Sequence, residues 1–413
     1  MQASKCIFIL GATRFDAQYE STSFILAKQF AKNNNTVYYI EYPYTSIDAI
    51  RLRNTPEFEK RKKAIAGENN GIIDINIPNL NIVVIPPLLS IHFLPEGRLY
   101  RWLLNINENI IVKRLKKVIQ SHKPENVIFI NSFVFHYPNL AKKLQPKLSI
   151  YHCVDPVITP YDIKHGIVSE KLIIENSDLV ICTSKKLYEE KKKMHAKTFF
   201  IPNAADINHS ILATHSEVPI HPKLKSIKKP VIGYFGNIER RIDFEQMIGV
   251  AEKNKDKSFV FAGPVEKHLV PEHFFSVSNI YFTGRIPYSE MPAILKGFDV
   301  AIIPFKKNED SNTVFPLKLF EYLGAGKSVV STDFNLDLRN FTGDLVTYCS
   351  NAEEFSGAIN KALATDSDQL KQARITLASE HTWEKRAIDF EKTIDDALSL
   401  KHFKETSIAK HAV

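Results

Sequence analysis

The sequence is poor in cysteine and has no long apolar run, and both absences exclude classes of protein. Its four cysteines are scattered over 413 residues without a CxxC pair, so neither a disulfide framework nor a zinc site is expected. No stretch of 18 apolar residues occurs, so no membrane-spanning helix is predicted. The start, MQASKCIFIL, lacks the basic-then-apolar order of a signal peptide. We therefore expect a cytoplasmic protein.

Several functional motifs are also absent. The sequence has no GxGxxG fingerprint, which argues against a nicotinamide enzyme. No cluster of His, Cys and carboxylate residues has the spacing of metal ligands, so we expect chemistry without a metal or a bound cofactor. No segment resembles a nucleic-acid-binding module, and no nucleic-acid partner is expected. The apolar content of 44% and charged content of 24% fit a soluble globular protein.

Positive charge is concentrated in the first half of the chain. Residues 1–205 hold 28 Lys and Arg against 18 Asp and Glu, whereas residues 206–413 hold 26 against 28. A basic half favours an anionic partner, and without a nucleic-acid module an anionic membrane surface is the better hypothesis. The protein would then attach peripherally to the inner face of the membrane. The alternative is that each basic cluster is a solvated helix face. The clusters lie at 60–63, 113–117, 185–186 and 191–193.

The pattern along the chain predicts two α/β domains. Short β-branched or apolar runs alternate with amphipathic segments of helical length, which is typical of parallel α/β structure. The chain is too long for one ordinary core, and the polar, proline-containing stretch 206–229 is the natural linker. It separates an N-terminal Rossmann-like domain (1–205) from a C-terminal one (230–385). Residues 386–413 are expected to form a helix and tail that pack back on the N-terminal domain.

Two open α/β sheets of this kind bind ligands at the carboxyl ends of their strands, in a cleft that the two domains would face.

The positions of the individual helices and strands are predicted from the same pattern. Helices are expected near 19–33, 99–121, 164–177, 243–254, 288–297 and 316–325 and over most of 351–402. Strands are expected at 5–10, 36–42, 81–86, 126–131, 148–154, 178–183, 197–202, 230–236, 258–263, 279–284, 299–305, 327–332 and 345–349.

The segment 312–332, NTVFPLKLFEYLGAGKSVVST, carries the most chemical information. Asn312 or Thr313 is expected to cap a helix whose first turn contains Pro316. The free N–H groups at such a helix start form an anion site, where a phosphate can bind without a metal. Two turns later, Glu321 is a single carboxylate in an apolar helix. Its burial requires a partner, and either vicinal ribose hydroxyls or a nearby lysine would serve.

The same segment resembles the donor-binding segment of the retaining glycosyltransferases of the GT-B fold, the large family that includes sucrose and glycogen synthases. It is most similar to the branch that builds bacterial surface polysaccharides, such as the teichuronic-acid transferases. Other pieces resemble the family's sequence in the family's order. They are FFIPNAAD (199–206), VIGYFGNIERRIDFEQM (231–247), FVFAGPV (259–265), NIYFTGRIPYSEMPAILKGFDVAIIPF (279–305) and EHTWEKRAIDFEKTI (380–394).

The resemblance implies roles for particular residues in the C-terminal domain. Glu321 would bind the ribose of a nucleotide-sugar donor. Arg240 or Arg241 would hold the donor diphosphate, with Lys318 assisting, and a fixed cation there suits a departing diphosphate on physical grounds too. The alternatives are a solvated loop pair for the arginines and an exposed helix position for Lys318. The remaining donor-side candidates are Gly236, Asn237, Thr313, Val314, Phe315 and Leu319.

The sequence departs from the family's pattern at two places. Thr313 stands where the family usually has a glutamate near the transferred sugar. The family's histidine after a late strand of the N-terminal domain is also missing, and His152 or Asp155 in YHCVDP would stand in for it. Asp155 is the better candidate, because it lies at the carboxyl end of the predicted strand, although a helix or turn cap is an alternative. Gly11 and Asp16, after the first strand, are candidates for the acceptor side, or for a plain turn.

The function that the resemblance implies is a glycosyltransferase of hexosyltransferase type. It would move a sugar from a UDP- or GDP-sugar to a cell-surface glycan or lipid-linked acceptor, with retention, using Asp155, Arg241 and Glu321. One rival is a nucleotide-sugar epimerase, which would be expected to carry more His and carboxylate residues around its cleft. A second rival is a non-catalytic partner subunit, which the missing glutamate at Thr313 favours.

Overall fold

The computed structural model describes residues 4–17, 20–309 and 311–411. The chain divides into two compact units. The first comprises Met1–Pro202 together with Ala387–Val413, and the second comprises Asn203–Arg386. Among the described residues, no helix is both long and apolar enough to cross a bilayer.

The first unit is built on an eight-stranded sheet with the strand order β3-β4-β2-β1-β5-β6-β7-β8. All neighbouring strands are parallel except β3 and β4, which are antiparallel. The strand order reverses between β1 and β5, and ligands bind at such a switch point in open α/β sheets. The strands are β1 (Cys6–Gly11), β2 (Thr36–Ile40), β3 (Ile72–Asp74), β4 (Leu80–Val83), β5 (Val127–Ser132), β6 (Leu148–Cys153), β7 (Leu179–Cys182) and β8 (Thr198–Phe200).

Helices cover both faces of this sheet, so its strands are nearly continuous apolar runs. Short polar caps start several of the helices: Ser21 accepts a hydrogen bond from the Phe24 N–H, and Thr159 from that of Asp162. The helices are α1 (Thr22–Lys32), α2 (Ser46–Leu52), α3 (Pro56–Glu59), α4 (Lys62–Ala66), α5 (Arg98–His122), α6 (Leu140–Leu144), α7 (Pro160–Asn176) and α8 (Lys185–Lys192).

The second unit is built on a six-stranded parallel sheet with the strand order β11-β10-β9-β12-β13-β14. Its switch point lies between β9 and β12, which are hydrogen-bonded neighbours. The strands are β9 (Val231–Phe235), β10 (Ser258–Ala262), β11 (Ile280–Gly284), β12 (Val300–Ile303), β13 (Ser328–Thr332) and β14 (Val346–Cys349). The helices are α9 (Ile207–Ser210), α10 (Phe244–Lys253), α11 (Met291–Gly297), α12 (Leu317–Gly324), α13 (Arg339–Thr342), α14 (Ala352–Thr365) and α15 (Asp368–Ser379). The last helix, α16 (Trp383–His411), begins in the second unit and continues into the first.

The strands expected from the sequence are all present, and the α/β class is confirmed. The sequence did not predict β3, a three-residue strand that pairs with the edge of the sheet. It is too short for a hydrophobic period, and Asn69 and Asn70, both with positive φ, precede it. The sequence pattern also predicts no helix between α2 and β3, whereas the structure has three short helices in this region.

The packing of two segments, residues 206–229 and the later part of α16, could not be seen from the sequence pattern. Residues 206–229 do not form an extended linker, because Ile207, Ala213 and Leu224 are buried in the core of the second unit. The later part of α16 packs within the first unit. Lys5 pairs with Asp395 at 3.1 Å, and the Asn35 side chain donates a hydrogen bond to Glu391.

Candidate functional site

The loop that follows β9 is held tightly at the switch point of the second sheet. Gly236 has φ of 143°, a value that favours glycine, and a Cβ there would lie 2.6 Å from the Lys318 Nζ. A Cβ on Gly263 would lie 2.0 Å from the Gly236 carbonyl oxygen. The Tyr234 hydroxyl donates a hydrogen bond of 2.8 Å to the Asn237 carbonyl. The glycines thus allow this loop to lie directly against the start of α12.

Lys318 is the cation at the centre of this arrangement. Its ammonium donates a hydrogen bond of 2.6 Å to the Tyr234 hydroxyl and lies 4.1 Å from the centre of that ring. Burial, opposed by the charge of Glu321 and assisted by that of Arg241, lowers the pKa of Lys318 to about 7. Lys318 is partly buried, so the sequence-based alternative of an exposed lysine is wrong. A partly desolvated cation of this kind would be stabilised by an anionic ligand.

Glu321 lies one turn further along α12 and is 8% exposed. Its Oε1 accepts a hydrogen bond of 2.8 Å from the Tyr288 hydroxyl. Burial raises the pKa of Glu321, and the Tyr288 hydrogen bond and the Lys318 charge only partly offset that effect. The helix is fixed to β9 by Tyr322, whose hydroxyl accepts from the Phe235 N–H at 2.7 Å. A carboxylate held in this way is preorganised to accept hydrogen bonds from ligand hydroxyls.

The start of α12 differs from the sequence-based expectation. The helix begins at Leu317, Pro316 precedes it, and no side chain caps it. Neither Asn312 nor Thr313 acts as the cap, because both belong to a separate 3-10 turn, Ser311–Thr313. Proline cannot donate a hydrogen bond and does not supply a capping oxygen. The first N–H groups of α12 are therefore left without a side-chain acceptor, as a phosphate site requires.

Three of the candidates around the start of α12, namely Val314, Phe315 and Leu319, are apolar residues that help to pack this region. Phe315 is buried and lies 5.6 Å, ring centre to ring centre, from Phe320. Leu319 is completely buried in the core. The Val314 carbonyl accepts a hydrogen bond of 3.1 Å from the Asn335 side chain. The sequence cannot distinguish apolar side chains that pack in the core from apolar side chains that line a binding site, because both give the same pattern in a helix.

The two candidate arginines lie on the loop after β9 and share Glu239. The distance from Nε to the nearer Glu239 oxygen is 3.6 Å for Arg241 and 4.0 Å for Arg240, and both side chains are about half exposed. Only Arg241 is close enough to Lys318 to affect its pKa. The loop is joined to the segment after β12 by a bridge between Ile242 and Phe305. Arg241, Lys318 and the start of α12 therefore belong to segments that follow β9 and β12, the two strands at the switch point.

Tyr288 is a site residue that sequence reasoning missed. It lies in a short 3-10 turn before α11, and its ring is 4.8 Å from that of His209. The tyrosine follows Ile286-Pro287 without a recognisable motif, so only the fold brings it to Glu321. Over the ranges that the structure describes, no three His, Cys, Asp or Glu side chains are grouped as metal ligands would be.

In the first unit, Asp155 and His152 have different surroundings. Asp155 is exposed just beyond the carboxyl end of β6. His152 is buried within that strand, where its Nδ1 lies 3.0 Å from the Ser132 Oγ. Burial lowers the pKa of His152 to about 3, and its ring packs against Phe390. His152 is a core histidine, which leaves Asp155 as the candidate on this strand.

Gly11 and Asp16 lie at the switch point of the first sheet, where Gly11 is the last residue of β1 and Asp16 lies in the loop that follows. A Cβ on Gly11 would lie 2.1 Å from the Tyr39 hydroxyl, so this position requires glycine. Both Asp16 oxygens bind the buried Arg61, at 2.5 and 3.1 Å, and Arg61 also binds Glu41 at 2.6 Å. Although burial opposes it, Arg61 holds the pKa of Asp16 below its ordinary value. Asp16 therefore orients Arg61, and its oxygens are already engaged.

Comparison with solved structures defines the fold class. The chain is similar to sucrose-phosphate synthase from Thermosynechococcus elongatus, with a TM-score of 0.67 and 13% identity over 96% of this chain and 100% of that one. The Anabaena protein HepE, solved in complex with UDP, has a TM-score of 0.62 and 13% identity, over 95% of this chain and 100% of that one. An E. coli structure titled "Trehalose-6-phosphate" and bound with UDP-2-fluoro glucose has a TM-score of 0.66 and 11% identity, over 95% of this chain and 99% of that one. The chain has the GT-B fold.

Sequence comparison adds the activity. Residues 240–392, which include Arg240, Arg241, Tyr288 and Glu321, match the family model described as glycosyl transferase-like. A protein of Bacillus subtilis (strain 168) is 26% identical over 295 residues, which are 67% of this chain and 71% of that protein. Its title is "Putative teichuronic acid biosynthesis glycosyltransferase TuaH". The chain is a glycosyltransferase.

Proposed function

We propose that this glycosyltransferase takes a hexose from a UDP- or GDP-sugar held in its second unit and transfers it with retention of configuration. One observation carries the proposal. A buried carboxylate, Glu321, lies one turn from a partly buried cation, Lys318, at the uncapped start of α12. The spacing suits a nucleoside diphosphate, whose ribose needs a hydrogen-bond acceptor and whose phosphates need positive charge. Two of the similar structures contain UDP or a UDP-sugar, which supports the choice of nucleotide.

In this proposal, positively charged groups of the protein stabilise the nucleoside diphosphate as it leaves. As the sugar–phosphate bond breaks, negative charge develops on the departing oxygen. Arg241, Lys318 and the first N–H groups of α12 are fixed at the place where that charge appears. Because these groups are already oriented, no reorganisation is needed during the reaction. We therefore expect activity to persist in EDTA, with neither a metal nor a cofactor required.

We assign the acceptor, a cell-surface glycan or a lipid-linked glycan, to the first unit. Asp155 and the loop after β1 lie at the carboxyl ends of strands in that sheet, where this type of sheet binds ligands. We place the protein in the cytoplasm, peripherally attached at the inner face of the membrane. The relative from Bacillus subtilis, whose title refers to teichuronic acid biosynthesis, supports such an acceptor.

A donor-hydrolysis assay tests the proposed function against its rivals. The purified chain is incubated with UDP- and GDP-hexoses without acceptor, and the released nucleoside diphosphate and the recovered sugar are measured. Slow release of the diphosphate from one donor is expected for the transferase. Recovery of an epimerised donor would instead identify an epimerase. No turnover of any donor, even with acceptor glycans added, would favour a non-catalytic subunit.

The pKa of Lys318 predicts a pH dependence of nucleotide binding. In the free protein Lys318 loses its proton as the pH rises through about 7, whereas a bound diphosphate would raise its pKa. Binding at pH 8 should therefore take up close to one proton, and affinity should fall by up to about tenfold per pH unit above 7. Calorimetry at pH 8 in two buffers of different ionisation enthalpy measures the proton uptake.

Two variants serve as controls for this prediction. Lys318→Arg keeps a charge that cannot be lost in this pH range, so its nucleotide affinity should be nearly independent of pH between 7 and 9. Lys318→Met has no charge to gain, so proton uptake should disappear together with part of the affinity. Unaltered proton uptake in Lys318→Met would show that another group titrates on binding.

A further inference from the structure

The exposed apolar side chains of this protein are unevenly distributed. Among the described residues, ten of the nineteen large hydrophobic side chains that are exposed lie in three short regions of the first unit. The regions are α2, residues 89–102, and the first half of α7. They include Ile50 at 70% exposure, Phe93 at 74% and Trp102 at 61%. We refer to these three regions together as the apolar rim.

Hydrogen bonds and ring contacts join the three regions into one surface. The Ile47 N–H donates to the Ser90 Oγ at 3.2 Å, which ties α2 to the segment that begins at residue 89. The Lys164 ammonium donates to the Phe93 carbonyl at 3.0 Å, and the His92 ring stacks on Tyr161 at 4.5 Å. These contacts tie the same segment to α7. The apolar rim is therefore a single, internally braced surface.

The solvent-facing side of α7 has the composition of a core-facing side. A surface helix normally presents charged or polar residues to water. On α7 the exposed positions of the first turns include Tyr161, Ile163, Ile167 and Val168, with Lys164 as the charged residue among them. Exposed apolar surface that is continuous over several elements marks an interaction site. Isolated exposed residues would need no explanation, but a whole helix face does.

Exposed basic side chains accompany the apolar rim, namely Arg51, Arg53 and Arg98. Three carboxylates in the same regions are engaged locally: Asp48 completes a capping box at the start of α2, Glu96 binds Arg101 at 2.6 Å, and Asp162 accepts a hydrogen bond of 2.5 Å from the Thr159 hydroxyl. A surface that combines Trp, Tyr and aliphatic side chains with arginines fits the interface of an anionic bilayer.

The basic clusters that suggested membrane attachment from the sequence are less suitable. Lys191 is buried and binds Glu170 at 2.7 Å, and Arg61 is completely buried between Asp16 and Glu41. Arg114 donates to the Ala64 and Ile65 carbonyls. In three of the four basic clusters, one residue thus makes hydrogen bonds within the protein and is not available to a membrane. Replacing Lys191 by glutamate would disrupt a buried ion pair, so the cluster 191–193 is a poor place to test membrane binding.

We propose that the apolar rim is the surface by which this protein docks on an anionic lipid bilayer, with Phe93 and Trp102 inserted among the lipid chains. The rim follows the carboxyl ends of β2, β4 and β6, the same end of the sheet as Gly11 and Asp155. A docked bilayer would bring a lipid-linked acceptor to that end of the sheet. The docking proposal rests on the peripheral membrane attachment that the proposed function includes, whereas the donor chemistry of the second unit does not depend on the docking surface.

The chain's tryptophans allow a direct test. Trp102 is exposed in the apolar rim, whereas Trp383 is 4% exposed. The full chain is mixed with vesicles of equal parts phosphatidylcholine and phosphatidylglycerol, with and without brominated acyl chains. Trp102 emission should shift to shorter wavelength, and brominated chains should quench it. The Trp102→Phe variant should bind without this change, because Trp383 remains in the protein interior.

Binding of matched variants completes the test. Phe93→Ser should lower partitioning into these vesicles by about tenfold or more, because the largely exposed phenylalanine ring is no longer there to insert. Phe275→Ser, at a 40% exposed phenylalanine of the second unit, should bind like the parent chain. Both variants should release nucleoside diphosphate from the donor at the parent rate. Docking that remains without donor turnover would overturn the proposed function alone.

Three results would overturn the docking proposal. The first is vesicle binding of Phe93→Ser equal to that of the parent chain. The second is Trp102 emission that brominated lipid does not quench. The third is a dimer that dissociates in Phe93→Ser, seen by light scattering on a sizing column, which would assign the rim to a second copy of the chain.

Discussion

Replacing Arg241 by alanine is expected to lower kcat by about 10²–10³-fold, the usual cost of removing one fixed transition-state donor. Arg241 lies 3.6 Å from Glu239, beyond hydrogen-bonding distance, so its charge remains available to a ligand. The charge of Arg241 also contributes to lowering the pKa of Lys318. Repulsion between them in the free protein would be relieved when a diphosphate binds. Steady-state rates with a nucleotide-sugar donor measure the loss.

Arg240→Ala is the matched control for this prediction. It removes the same kind of side chain from the same loop, but Arg240 has no resolved effect on Lys318. Its effect on kcat should therefore be much smaller. Both variants and the parent chain are also assayed with EDTA, which should leave the rates unchanged. Full activity of Arg241→Ala, or loss in EDTA that magnesium restores, would mean that the phosphates are held by other groups.

Glu321→Gln is expected to keep the fold and to weaken nucleoside diphosphate binding by about 1–3 kcal/mol. Glutamine has nearly the same shape and can still accept the hydrogen bond from Tyr288 at the position of Oε1. It lacks the charge that makes a carboxylate a strong acceptor for ribose hydroxyls. Since burial raises the pKa of Glu321, removing this charge should not reduce the stability of the protein. Titration calorimetry measures the affinity, and thermal unfolding checks the fold.

Glu245→Gln is a suitable control for this substitution. Glu245 belongs to the same unit, but its side chain is 72% exposed and pairs with His273 on the surface. The control should bind nucleotide as the parent chain does. Tyr288→Phe, which removes the hydroxyl that positions Glu321, should give a smaller loss than Glu321→Gln. Equal affinity of Glu321→Gln and the parent chain would exclude a ribose contact at this carboxylate.

Much of the fold could be predicted because the strands carry their pattern locally. Runs such as VIGYF and VAII contain no charged residue, as expected of strands buried on both faces. The β3 strand could not be predicted in this way, since its three residues gain their place only by pairing with β4. The packed segment 206–229 also misled the sequence reading, because its prolines and polar residues conceal a few buried apolar anchors.

The candidate site was partly predictable for a similar reason. Glu321 was recognised because a carboxylate within an apolar helix is unusual in any sequence. The structure adds its partner Tyr288, which lies 33 positions earlier in the chain and has no local signature. The roles of Asp16 and Lys191 were hidden too, since their partners Arg61 and Glu170 are distant in sequence. Long-range pairs of this kind depend on the fold and not on spacing.

The central claim, that the second unit holds a nucleoside diphosphate at the start of α12, is tested most directly by binding. The parent chain is titrated calorimetrically with UDP, GDP, ADP and CMP. We predict saturable binding of UDP or GDP, with a matching rise in Tm. The corresponding nucleoside monophosphate should bind more weakly, because it lacks the phosphate that would contact Arg241 and Lys318. Failure of both UDP and GDP to bind, or equally strong binding of the monophosphates, would contradict the claim.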